Sequence, residues 1–316
     1  MSEDNKGQAT PDAPAEANGG KSLDINTKVD VKPAYQKPKR GFMSKLLNRG
    51  GVANQYIQDG DLLLKEKNIP HAINAYKTAL AEDPYCTEAL VGMAKCHEAM
   101  GGIKNAKIAV GYYYKALEED FLQVDIYQAV VQMYLKLGDN KNAHNEKKKL
   151  QTVRTLKSNP NNPTANNNLG IIQLIQKQYD ASIRSFQKAV KHEGYHSLGQ
   201  LNLAKAWLQK AMHEKDPTEK KTFLIKSAKE VEAYLNNNKQ ADGLLLKAKI
   251  YMTYGDYQKA LGYCNEAFVL DNTMKEILNT KRAIDEKLGN IQDASEAYDA
   301  YQSLAKEEIK MKSGKN

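Results

Sequence analysis

The sequence predicts an all-α solenoid of about seven helix–turn–helix units, and three observations carry that prediction. The chain repeats itself with a period of 34: Asn168-Leu169-Gly170 returns as Asn202-Leu203-Ala204, and Gly255 and Ala260 return as Gly289 and Ala294. Small residues recur where helix backbones must approach closely. Gly60, Ala94, Gly170, Ala204 and Ala248 do so in the first helices of their units, and Ala72, Ala109, Ala143, Ala260 and Ala294 in the second. Apolar residues, 41% of the 316, are interrupted throughout by charged ones, 27%. That is the texture of helices that each bury one face. No apolar run reaches the roughly 18–20 residues a membrane span needs.

Residues 1–40 are rich in Pro, Ala, Gly, Asn, Lys and Asp and hold few large aliphatics. Such a segment cannot bury enough apolar surface to offset its chain entropy, so a disordered tail is expected. Over residues 41–51 the character changes: Phe42, Met43, Leu46 and Leu47 recur at helical spacing among Lys39, Arg40, Lys45 and Arg49, and Gly50-Gly51 ends the run. This short basic amphipathic segment has three readings: a linker helix resting on the first unit, a partner-docking peptide, or a contact with an anionic membrane surface.

The array occupies residues 53–308, with units starting near 53, 87, 124, 163, 197, 241 and 275, and leaves 309–316 as a C-terminal tail. Three units exceed the standard length. The largest excess falls at His213-Glu214-Lys215-Asp216-Pro217-Thr218-Glu219-Lys220, where Asp-Pro breaks one helix and Thr-Glu can start the next. The third unit lengthens its second helix through Lys147, Leu150, Val153 and Leu156 until Asn159-Pro160-Asn161-Asn162-Pro163 stops it. Large residues beside the small ones, Tyr76, Tyr113, Phe186 and Tyr298, fill the grooves between helices. No unit can bury its apolar face alone, so stability is close to a sum of nearest-neighbour terms. The last unit ends in a mixed-charge helix, Ala305 to Lys310, that caps the array. The first has only the Phe42–Leu47 segment as cover, which makes self-association through that end a further expectation.

In the first unit, Tyr56, Gly60 and Leu63 share one helix and Ala72, Tyr76 and Ala79 the next, with Pro84 closing it. This pattern resembles the tetratricopeptide repeat, and the resemblance covers residues 53 to about 308. It implies a right-handed superhelix whose concave groove, lined mainly by the first helix of each unit, binds protein or peptide partners. The residues it places on that groove are Asn167, Asn168, Ile171, Leu201, Asn202, Lys205, Leu245 and Lys249, with Leu174, Ile175 and Leu208 adding apolar surface. Asn168 and Asn202, one period apart, resemble the asparagine ladders with which such proteins hold an extended peptide backbone. Lys205 and Lys249 form a basic column suited to an acidic ligand. One departure counts against a chaperone-tail clamp: where that clamp has Lys and Asn in its first unit, this chain has Ile57 and Asp61.

No nucleophile–base pair, phosphate loop or dinucleotide fingerprint has the right spacing, so no catalysis, cofactor or metal is expected. His192-Glu193-Gly194-Tyr195-His196 lacks the paired-ligand sequence of a zinc protease, and Cys96 and Cys264 fall on packing positions. Three cysteines and the acidic, polar start Met1-Ser2-Glu3-Asp4-Asn5-Lys6 fit a reducing, cytoplasmic setting. The net charge of +8 is uneven: −3 over residues 1–30, +6 over 31–52, and +5 over the remainder, too dilute for a nucleic-acid stripe. Lys147, Lys148, Lys149, Arg154 and Lys157 read as a solvated face. The leading functional reading is a non-catalytic scaffold that assembles a multiprotein complex. A peripheral factor held at the inner face of a membrane through residues 37–49 is the alternative, and RNA binding by the repeats a lesser one.

Overall fold

A computed structural model of the chain describes residues 50–192, 196–237 and 240–313. The expectations for Lys39, Arg40, Phe42, Met43, Lys45, Leu46, Leu47 and Arg49 lie outside these residues, as does that of a disordered tail. The described residues form fourteen α-helices in seven hairpins. They are α1 (Gly50–Lys65) with α2 (Ile69–Glu82), α3 (Thr87–Met100) with α4 (Gly102–Glu119), α5 (Val124–Lys136) with α6 (Asn140–Ser158), and α7 (Pro163–Ile175) with α8 (Tyr179–Val190). Then follow α9 (His196–His213) with α10 (Pro217–Asn237), α11 (Ala241–Tyr254) with α12 (Tyr257–Leu270), and α13 (Lys275–Leu288) with α14 (Ile291–Ser313). No described helix is long and apolar enough to cross a membrane.

The hairpin turns share one device. In five of them the residue two places before the second helix has positive φ: Lys67, Gly138, Lys177, Gly255 and Gly289. The following N–H then bonds back to a carbonyl five residues earlier, as Asp139 to Tyr134 at 2.9 Å and Asp256 to Tyr251 at 3.0 Å. Glycine reaches this left-handed conformation without steric cost, and lysine does not. Side-chain caps start the next helices. Asp139 accepts from Asn142 N, Asn162 from Ala165 N, and Asp256 from Lys259 N. At the long insertion Asp216 accepts from Glu219 N at 2.8 Å while Pro217 opens α10, so that Asp-Pro both ends one helix and starts another.

The chain divides into two compact bodies, whose described parts lie within residues 50–199 and 200–313. In the first, each helix from α1 to α8 packs on its chain neighbours, and α1 also meets α3. The repeated unit of packing is a ring against a glycine. Tyr76 is fully buried between α1 and α3: a Cβ at Gly60 would come within 2.7 Å of its ring and one at Gly92 within 2.3 Å. Phe186 sits against Gly170 in the same way, at 2.6 Å. The tyrosine hydroxyls need partners once buried, and find them fifteen residues back: Tyr76 donates to Asp61 and Tyr113 to Glu98, both at 2.7 Å. Ile57 and Asp61, where the clamp-type proteins differ, are thus part of the first unit's core and of its tyrosine bond.

Two units lack the alanine of the second helix. There Ser182 and Ser227, both buried, donate across the crossing to the carbonyls of Gly170 and Ala204 at 2.7 Å. A hydroxyl is small enough for the crossing and is neutralised by that bond. In the second body the core runs from Leu201 and Ala204 through Leu224, Val231 and Leu245 to Ile277 and Ile284. Tyr298 does not fill a groove as the sequence implies. It is half exposed, because α14 is the last described helix and no further described unit covers it; Arg282 lies 5.4 Å over its ring instead.

Candidate functional site

The extended α6 and the first helix of the following unit, α7, enclose a cleft in the first body with a volume of about 920 Å³. Leu156 in the added turn of α6 packs with Ala165 and Leu169 of α7 and with Phe121 and Leu122. That contact fixes the two walls against each other. The α7 wall presents Thr164, Asn168, Ile171 and Ile175, spaced four, three and four residues apart so that they form one stripe. Ile171 is 39% and Ile175 78% exposed, two isoleucines open to solvent on one helix face. The α6 wall is polar: Asn142, Asn145, Lys148, Gln151 and Thr155 line it.

At the cleft lining Tyr114 of α4 meets Glu146 of α6. Glu146 is 3% exposed, and its Oε1 accepts from the Tyr114 hydroxyl at 2.9 Å and from Lys149 Nζ at 2.6 Å. Its Oε2 is buried and has no hydrogen-bond partner among the described residues. A buried carboxylate oxygen left without a donor is costly. Burial, with Tyr134 and Glu146 adding to it, pushes the Tyr114 phenol well above the ordinary tyrosine range, so Tyr114 stays a donor. A smaller cleft on the other flank of α6 is lined by Gln132 and Val131 of α5 and by Lys147 and Arg154.

The residues assigned to the groove from sequence separate into two sets. Asn168 and Ile171 are exposed and line the cleft; Lys205 is exposed on the second body and Asn202 half-buried there. Asn167, Leu201 and Leu245 are corrected. Asn167 is buried, and the two leucines are each 3% exposed within the cores of their helix pairs, as is Leu208. All three occupy the fifth position of a first helix, 100° around from the sixth, and so point at the partner helix rather than at solvent. Lys249 is half-buried and ion-paired with Glu276 of α13, so it is not a spare positive charge for a ligand. Asn166, two residues before Asn168, is buried and donates to the carbonyls of Pro160 and Asn162 at 2.9 Å, fixing the turn before α7.

Sequence reasoning missed Glu146, Tyr114 and the participation of a second helix. The available signal was Glu146 itself, the one acid in α6 among six Lys and Arg residues. No described group of three His, Cys, Asp or Glu residues is arranged to hold a metal ion, and residues 193–195 of the paired-histidine stretch lie outside the description. Cys96 and Cys264 are fully buried, and burial pushes both thiols up to about 11, which keeps them protonated and unreactive at neutral pH.

Residues 153–210, from the end of α6 to most of α9, match the family model described as tetratricopeptide repeat. Among curated proteins none matches the sequence. Several solved structures are similar. A thermophilic TPR protein of Thermus thermophilus is 21% identical with a TM-score of 0.48, covering 58% of this chain and 95% of that one. PilW, a type IV pilus biogenesis factor, is 17% identical with a TM-score of 0.41, covering 69% and 92%. YrrB, a TPR protein with an unusual peptide-binding site, is 17% identical with a TM-score of 0.36, covering 66% and 98%.

Proposed function

We propose that this tetratricopeptide repeat protein is a non-catalytic scaffold that assembles a protein complex, and that it holds a partner in the cleft between α6 and α7. The observation that carries the reading is the isoleucine stripe of α7, exposed along one wall of the cleft opposite a polar wall. An exposed apolar stripe facing a polar wall is suited to a ligand with apolar side chains on one side and polar groups on the other. Asn168 and Asn145 on opposite walls supply further amides for such a ligand.

The test is affinity capture from native lysate with the wild-type chain beside Ile171→Asp/Ile175→Asp. Neither side chain is buried, but both lie near the C-terminal end of α7, where an acid opposes the helix dipole, so the double variant is expected to fold with a loss of about 1–2 kcal/mol. Partners held in the cleft should be depleted about tenfold or more, since charges placed in an apolar contact are desolvated without partners. An identical set of captured proteins from both chains would remove the cleft from the function.

A further inference from the structure

We infer that the occupant of this cleft is an acidic amphipathic helix of a partner protein, its apolar stripe on α7 and its carboxylates over α6. The inference rests on the cleft being the partner surface, and adds the partner's chemistry. The α7 stripe runs from Thr164 to Ile175, which at about 1.5 Å per residue is about 17 Å, or three helical turns. Its apolar residues Ile171, Ile172 and Ile175 follow the three- and four-residue spacing that another helix presents from its own face. Both walls are helices whose backbone groups are already bonded, so no strand edge is offered to an extended peptide. A helix docks there by its side chains.

The charge of the opposite wall chooses the sign of the partner. Lys141 and Lys148, seven residues apart on α6, share a face and are both exposed. Lys148 lines the cleft itself, whereas Lys147 and Arg154 line the smaller cleft on the other flank of α6. The single acid of α6, Glu146, is already bonded to Lys149 and Tyr114 and does not offset them. A basic or neutral helix would leave this wall unbalanced, and a row of glutamates would complement it. Nucleic acid fits less well: the stripe beside the lysines is isoleucine, which offers no ring for base stacking.

Fluorescence anisotropy on the full chain tests this with four labelled probes. One is a peptide of about 18 residues, three turns plus ends, with leucines at helical stripe spacing and glutamates elsewhere. The second carries lysines in place of the glutamates, the third scrambles the first, and the fourth is an oligouridine. The acidic stripe peptide is expected to bind about tenfold or more tightly than the other three, with affinity falling as salt is raised. Ile171→Asp/Ile175→Asp and Lys141→Glu/Lys148→Glu should each weaken it about tenfold, and the second should gain the lysine peptide in exchange. Circular dichroism melts serve to confirm that both variants are folded.

Equal binding of the lysine peptide, preference for oligouridine, or no binding of the acidic peptide would overturn the inference. So would a concentration-dependent dimer abolished by the isoleucine variant, which would give the cleft to a second copy. In lysate capture, partners lost with the isoleucine variant but kept with the lysine variant would leave the scaffold reading standing and sink the acidic helix; partners unaffected by either would sink both.

Discussion

Truncating Tyr76 to alanine is expected to destabilise the first body by about 3–5 kcal/mol, the range for removing a buried aromatic ring. The ring is fully buried, in contact with Gly60 of its own unit and Gly92 of the next, and its hydroxyl bonds Asp61. It therefore fastens α1, α2 and α3 together, and its loss removes both a core filler and a link between neighbouring units. Filling the space from the other side should also be costly. Gly92→Val places a Cβ 2.3 Å from ring carbons that have nowhere to go, and overpacking of this kind costs about 1–3 kcal/mol against a helix-propensity gain below about 1 kcal/mol. Chemical denaturation of both variants checks the pair. A Gly92→Val chain as stable as wild type would mean that the ring is not held between the two glycines.

Leu245→Ala is expected to cost about 2–5 kcal/mol, as for other buried leucines cut to alanine. The sequence frame places Leu245 on an open groove, where the same change would fall within about 0.5 kcal/mol. The two placements thus differ by several kcal/mol in one measurement. Leu245 is 3% exposed in a core shared with Leu201, Val231, Ala248 and Ile277, so a thermal or urea melt should show the larger loss. A silent substitution would return the residue to the groove.

What the sequence made legible was whatever packing forces to repeat. A ring needs a missing Cβ opposite it, so the sequence alone places Gly60, Gly170, Tyr76 and Phe186, and the helix pairs follow from them. Asp216-Pro217 could be read as a stop and a start because capping is a local interaction. The faces of the first helices were harder. A helix turns 100° per residue, so one wrong position in the frame exchanged a core residue for a surface one at Asn167, Leu201 and Leu245. The residues at the second, sixth, ninth and thirteenth places of the fourth unit, Thr164, Asn168, Ile171 and Ile175, are the ones that line the cleft.

The remainder was hidden because it arises between units. Lys249 meets Glu276 from the next first helix, 27 residues on, a pairing that no local spacing announces. The α6 wall of the cleft depends on the added turn that packs Leu156 on Ala165 and Leu169. A basic run read in isolation is a solvated face; in the structure Lys148 of that run lines a cleft opposite an isoleucine stripe.

The most direct test of that surface is photo-crosslinking from Ile175, replaced by a benzophenone-bearing amino acid, with Val269 on the second body as the exposed comparison site. Irradiation in cells expressing each chain, followed by mass spectrometry, is expected to yield discrete protein adducts at position 175 that are absent at position 269. Adducts of equal identity and yield at both positions, or none at 175, would contradict the assignment of the cleft as the partner site.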